Sequence, residues 1–138
     1  MIKVEKNVIK IDEDRVCMQN MDMISYNDNN ITIITGQGNH TIKYETQEEA
    51  VMEFETISQK ILENPDMFKV VDNIIINIAN LKRTEMNSIP RTDGKKEHIL
   101  VLRFNMDSPS IGCSSSAEMA DLAYRIDSEI LKKENAGV

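Results

Sequence analysis

The sequence predicts an α+β protein built by tandem duplication of one unit, an antiparallel β-meander of three to four strands followed by one helix. Three observations carry this reading: two helix-start motifs 69 residues apart, an apolar stripe behind each, and a pair of strand-like segments ahead of each. In Thr46-Gln47-Glu48-Glu49 the Thr46 hydroxyl and the Glu49 carboxylate each satisfy an amide that the first helical turn leaves open, so a helix is expected to follow. Ala50, Phe54, Ile57 and Ile61 then recur at helical spacing, with Val51 and Leu62 widening the stripe. Asn64-Pro65 is expected to end it, because proline drives the preceding residue out of helical geometry. Ser115-Ser116-Ala117-Glu118 is the second such box, and Met119, Leu122, Ala123, Ile126, Ile130 and Leu131 form the second stripe. At the same offset Ile57 falls on Ile126, Ile61 on Ile130 and Ile42 on Ile111.

Ahead of the first helix, segments 31–35 and 40–44 are rich in β-branched residues and read as a hairpin; segments 99–104 and 110–113 do the same ahead of the second. Gly36-Gln37-Gly38-Asn39 joins strand to strand, so its glycines serve a hairpin turn and not a phosphate cradle, which leads from strand to helix. Segments 23–26 and 83–86 supply the preceding strands. The start of each copy aligns in two ways, Val16 to Met21 over Ile76 to Leu81 or Met1, Lys3 and Val4 over Met67, Lys69 and Val70, and the offsets differ by six residues. The copies therefore span 1–66 and 67–138. A meander that small leaves an edge and a face bare, so the copies are expected to pack as a pseudo-twofold pair in one compact domain. A remaining edge offers a route to a homodimer.

The net charge is -7, and residues 1–66 carry 6 basic and 13 acidic side chains while the rest carries 10 of each. An acidic surface disfavours non-specific attraction to nucleic acid or anionic lipid. Residues 1–6 alternate apolar and charged, so neither a signal peptide nor a membrane span is expected, and the expected location is cytoplasmic, with Cys17 and Cys113 as reduced thiols. His40 and His98 lack a second ligand at metal spacing, Ser114, Ser115 and Ser116 suit capping better than nucleophilic attack, and the carboxylate pairs read as solvated faces. Met18, Met21 and Met23 fill gaps in a core or form an adaptable surface. No catalytic residue, metal or cofactor is assigned, and the chain reads as a non-enzyme.

The copies differ most between their first two shared strands, where Asn27-Asp28-Asn29-Asn30 in the first corresponds to the longer segment 87–98 in the second. That segment is expected to be a long loop shaped by Pro90 and Asp93-Gly94. It brings Arg91, Lys95 and Lys96 near Lys82, Arg83 and Arg103, and Arg83, Arg91, Lys95, Lys96 and Arg103 are the candidate binding residues.

From these features the first expectation is a non-catalytic protein that binds and inhibits a protein partner, through its acidic first half and the basic loop. Its size and its Asn-, Ile- and Lys-rich style suit an accessory gene product of a low-GC bacterium, plasmid or phage. Nucleic acid is the second expectation, since the tandem of four strands plus a helix resembles the single-stranded-DNA-binding regulators whose two such units form one sheet. The resemblance is one of architecture, without a shared motif. It implies contacts from Phe104, Arg103, Arg91, Lys95 and Lys96, against a background of 4% aromatic residues and no Trp. The third is sequestration of an anionic small molecule by Arg83, Arg91 and Arg103.

Overall fold

The chain is α+β in the computed structural model, which describes residues 2–63 and 66–136. In order the elements are β1 (Ile2–Val4), β2 (Val8–Ile11), β3 (Asp14–Cys17), a 3-10 turn (Met18–Asn20), β4 (Met21–Asn27), β5 (Asn30–Thr35), β6 (Gly38–Lys43) and α1 (Gln47–Ile61). There follow β7 (Phe68–Val71), β8 (Ile74–Asn77), β9 (Arg83–Pro90), β10 (Lys96–Arg103), β11 (Ser110–Cys113) and α2 (Ser116–Ala136). All three sheets are antiparallel, and each run of strands is followed by a helix, as the sequence predicts. Aspartate tolerates the left-handed backbone region better than most residues. Asp12, Asp28 and Asp72, at φ 53, 54 and 53, each open the two-residue turn of a hairpin: β2–β3, β4–β5 and β7–β8.

Two compact units part between Asn80 and Leu81. The sequence boundary after Asp66 thus differs from the structural one, and the reason is β8. In the first unit the five-stranded sheet runs β6-β5-β4-β8-β7, so the hairpin that begins the second copy extends the sheet of the first. Ile74, Ile75 and Ile76 bury themselves beside β4, and three asparagines fix the join. Asn73 Nδ2 donates to the Tyr26 carbonyl at 2.8 Å, Asn77 Nδ2 to the Met21 carbonyl at 2.8 Å, and Asn80 Nδ2 to the Gln19 carbonyl at 2.7 Å. Both N-terminal alignments place a hairpin on β7–β8, but only the one that sets Val16 over Ile76 also continues into the turn before the next strand, 18–20 over 78–80.

A second sheet in this unit, β1-β2-β3, shares the core with α1, which packs against β1, β4 and β5. Ile9, Ile24, Ile31, Ile33, Ile57, Ile61 and Ile75 are wholly or almost wholly buried in that core. Each such side chain contributes about 1.5–3 kcal/mol. Met18, Met21 and Met23 are buried too, so the methionine cluster fills core and forms no adaptable surface. The Glu49 amide donates to Thr46 Oγ1 at 3.2 Å, which starts α1 where expected. Leu62, expected to widen the stripe, is instead exposed just past the last turn; the Asn64-Pro65 stop lies outside the described residues.

In the second unit the sheet runs β11-β10-β9 with α2 against it. Leu100 and Leu102 alternate inward, beside the buried Met119, Leu122, Ala123, Ile126 and Ile130 stripe of α2. Thr84, paired with Leu102 and so on the same face, donates its hydroxyl to Asp127 of α2 at 2.7 Å. The second capping box closes one residue upstream of its expected partner: the Glu118 amide donates to Ser115 Oγ at 3.1 Å, but the Glu118 carboxylate accepts from the Ser114 amide at 3.2 Å and from the Ser114 hydroxyl. Leu131, read as part of the stripe, is exposed. Among the described residues no helix is long and apolar enough to cross a membrane.

Candidate functional site

Segment 87–98 is strand for most of its length and not a long loop. β9 continues to Pro90 and β10 begins at Lys96, with Ile89 opposite Glu97 and Ser88 opposite His98. Proline ends β9 without breaking the sheet because β9 is an edge strand, where a missing amide faces no neighbour. The five-residue turn is closed from within. The Arg91 amide donates to the Lys95 carbonyl at 2.8 Å, the Asp93 carboxylate accepts from the Lys95 amide at 3.0 Å, and Gly94 takes φ 82, a value that favours glycine.

The result is a projecting ribbon. β11 pairs with β10 only from His98 to Val101, so beyond His98 the sheet narrows to two strands. Residues 86–97 are exposed without interruption. Residues 82–103 hold six basic and three acidic side chains, a net +3 within a chain of -7.

All five candidate residues lie on this ribbon, in two groups. Arg91, Lys95 and Lys96 cluster at the tip, where Arg91 meets the Asp93 carboxylate at 3.5 Å. Arg83 and Arg103 lie directly opposite each other at the base. Seven register steps separate that pair from Lys96 and Pro90, which is about 23 Å along a strand. Between the two arginines sits Glu85, a residue that sequence reasoning missed although it lies two positions from Arg83 and hence on the same strand face. Arg103 Nη2 donates to Glu85 Oε2 at 2.8 Å, while Arg83 donates to Oε1 from Nη2 at 2.8 Å and from Nε at 3.0 Å. These hydrogen bonds, Arg103's first and then Arg83's, hold the Glu85 carboxyl down at about 2. Arg103 Nη1 donates further to Ser108 Oγ at 3.0 Å.

Two other expectations change. Phe104 is buried, so it offers no platform for a stacked base. Arg91 is remote from Arg83 and Arg103 along the ribbon, so the three arginines do not converge on one small anion. A cleft of about 430 Å³ in the first unit is lined by Val4, Glu5, Lys6, Asn7, Met18, Lys60 and Glu63, and includes none of them. Ser88 Oγ and His98 Nδ1, 2.9 Å apart, form a polar pair on one face of the ribbon, and exposed Asn87 lies on the other.

No family model matches the chain, and no curated protein matches it. Among solved structures it is similar to a LytTr DNA-binding domain from Bacillus cereus, with 18% identity, coverage of 86% of this chain and 97% of that domain, and a TM-score of 0.44. The expectation of a protein partner bound and inhibited through a basic loop is corrected here. The loop on which that expectation stood is a β-ribbon, strand up to Pro90 and again from Lys96.

Proposed function

We propose that the chain binds nucleic acid, with the β9–β10 ribbon as the contact. The observation that carries this reading is the two-stranded, solvent-exposed end of the hairpin, tipped by Arg91, Lys95 and Lys96 and net positive in an otherwise acidic chain. With the ribbon at +3, the remainder holds -10, which repels phosphate elsewhere and confines contact to the ribbon.

Duplex is the form this ribbon suits. A major groove about 12 Å wide admits a two-stranded β-ribbon, and Asn87, on the same ribbon face as Arg83 and Arg103, offers a donor and an acceptor toward base edges. Binding of single strands draws on exposed aromatic rings, and of the three Tyr and three Phe only Tyr124, on α2, is exposed. No catalytic step belongs to this reading.

The experiment is fluorescence anisotropy of labelled duplex and single-stranded oligonucleotides of mixed sequence, titrated with the full chain across a range of salt. Three tip cations on three phosphates give a slope of log affinity against log salt of about -2.7. Absence of binding to either form at low salt removes the proposal.

A further inference from the structure

We infer that Arg83 and Arg103 form a seat for a backbone phosphodiester, and that Glu85 fills this seat while the protein is free. The inference rests on the nucleic-acid reading and deepens it by giving the base of the ribbon a ligand and a built-in competitor.

The starting observation is the register. Arg83 and Arg103 face each other directly across β9 and β10, and like charges in that position destabilise a sheet. Something anionic must lie between them, and Glu85 does so from the same face. Its two oxygens are divided between the guanidinium groups, Oε2 to Arg103 and Oε1 to Arg83, through three hydrogen bonds of 2.8–3.0 Å. That is also how a phosphodiester would use the pair, since it too presents two anionic oxygens from one centre and arginine binds both groups through the same planar fork. Two guanidinium groups around one carboxylate leave the cluster with one positive charge in excess, which favours an incoming anion. Ser108 Oγ, held by Arg103 Nη1 at 3.0 Å, fixes the second guanidinium in place and leaves Nη2 aimed at the position of Glu85 Oε2.

The placement matters for the ligand. The seat lies at the base of the ribbon, about 23 Å from the tip cations by strand length, so a ribbon lying across a groove about 12 Å wide reaches a phosphate strand at each end. Glu85 swings aside only when a phosphate arrives to replace it. The free protein thereby offers three cations to a passing anion instead of five, and full engagement is reserved for a ligand that also fits the tip.

The test is Glu85→Gln, compared with Glu97→Gln, which removes the same charge from the same ribbon but touches neither arginine in the bonds described. Duplex affinity is expected to rise about tenfold in Glu85→Gln beyond any gain in Glu97→Gln, and the salt slope to steepen by about 0.9, one phosphate contact. Adding Arg83→Gln and Arg103→Gln together should abolish that gain in the Glu85→Gln background. Circular dichroism melting of each variant shows whether it folds. Inorganic phosphate, followed through the arginine Nε–Hε resonances of the full chain, gives a readout independent of nucleic acid: Arg83 and Arg103 should shift at lower phosphate in Glu85→Gln than in wild type. If no variant binds oligonucleotide yet these resonances respond to phosphate, the nucleic-acid reading falls and the seat stands. If wild type binds duplex but Glu85→Gln matches Glu97→Gln and its arginines ignore phosphate, the seat is overturned and the ribbon reading stands.

Discussion

Asn77→Asp converts a buried hydrogen bond into a pH-dependent weakness whose size follows from the structure. Asn77 is fully buried, and its Nδ2 donates at 2.8 Å to the carbonyl of Met21, itself fully buried. That carbonyl lies where the β4–β5 register shifts between Met21 and Met23, so the strand ladder is irregular there and the asparagine supplies a donor. Aspartate keeps the shape but places an oxygen where the donor stood. Protonated, it can still donate; ionised, it sets a buried charge against a carbonyl oxygen. Burial therefore raises the folded-state pKa above the ordinary value of about 3.9. The folded state then holds its proton more tightly than the unfolded chain, so stability is retained below about pH 4 and falls by about 1.4 kcal/mol per unit as pH rises toward the folded pKa. For a shift of two to three units the loss is about 3–4 kcal/mol by pH 7, a large part of a typical domain's stability of about 5–15 kcal/mol. Urea unfolding followed by circular dichroism at several pH values between 4 and 8, wild type beside variant, measures it. A difference between the two that stays constant with pH refutes the reasoning, as does a loss below about 0.5 kcal/mol at pH 7.

Other predictions concern single groups. Among the described residues the buried Tyr44 hydroxyl has no hydrogen-bond partner, so Tyr44→Phe should raise stability by about 1 kcal/mol, visible as a higher Tm. Burial, and then Glu53 and Asp12, push the same phenol up to about 12, so ultraviolet titration should show Tyr44 ionising late, a signal absent from Tyr44→Phe. Because the folded state keeps that proton longer, the linked stability should decline as pH rises from about 10 to about 12. Thr46→Ala removes the acceptor of the Glu49 amide and should cost about 1 kcal/mol in urea unfolding. Maleimide should label exposed Cys17 ahead of Cys113, whose thiol is half-buried and pushed up by burial and by Glu118.

Local signals in the sequence were sufficient for both helices and most strands. The Thr46 and Ser115 boxes and the Ile57 and Ile126 stripes depend on neighbours within one or two turns, and short-range chemistry reads reliably. Long-range pairing did not read. The insertion of β8 beside β4 joins residues about 50 apart, and its stitches, Asn73, Asn77 and Asn80, look like ordinary polar residues until the partner carbonyls are in place. At the ribbon the sequence supplied the right cations and the wrong geometry. Exposed strands with polar residues on both faces carry no apolar alternation, and Pro90 and Asp93-Gly94 signal a loop even where the edge strand continues to Pro90. Glu85 was hidden for a related reason, since its meaning depends on Arg103 arriving from the neighbouring strand.

The central claim is that the ribbon tip contacts nucleic acid, and the most direct measurement is duplex affinity between about 50 and 200 mM salt for wild type and for Arg91→Ala, Lys95→Ala and Lys96→Ala combined. Wild type should bind with affinity that falls linearly on logarithmic axes, and the triple variant, folded by circular dichroism, should lose most of that affinity and flatten the slope by about 2.7. A triple variant that binds duplex as wild type does, with the same slope, would contradict the account.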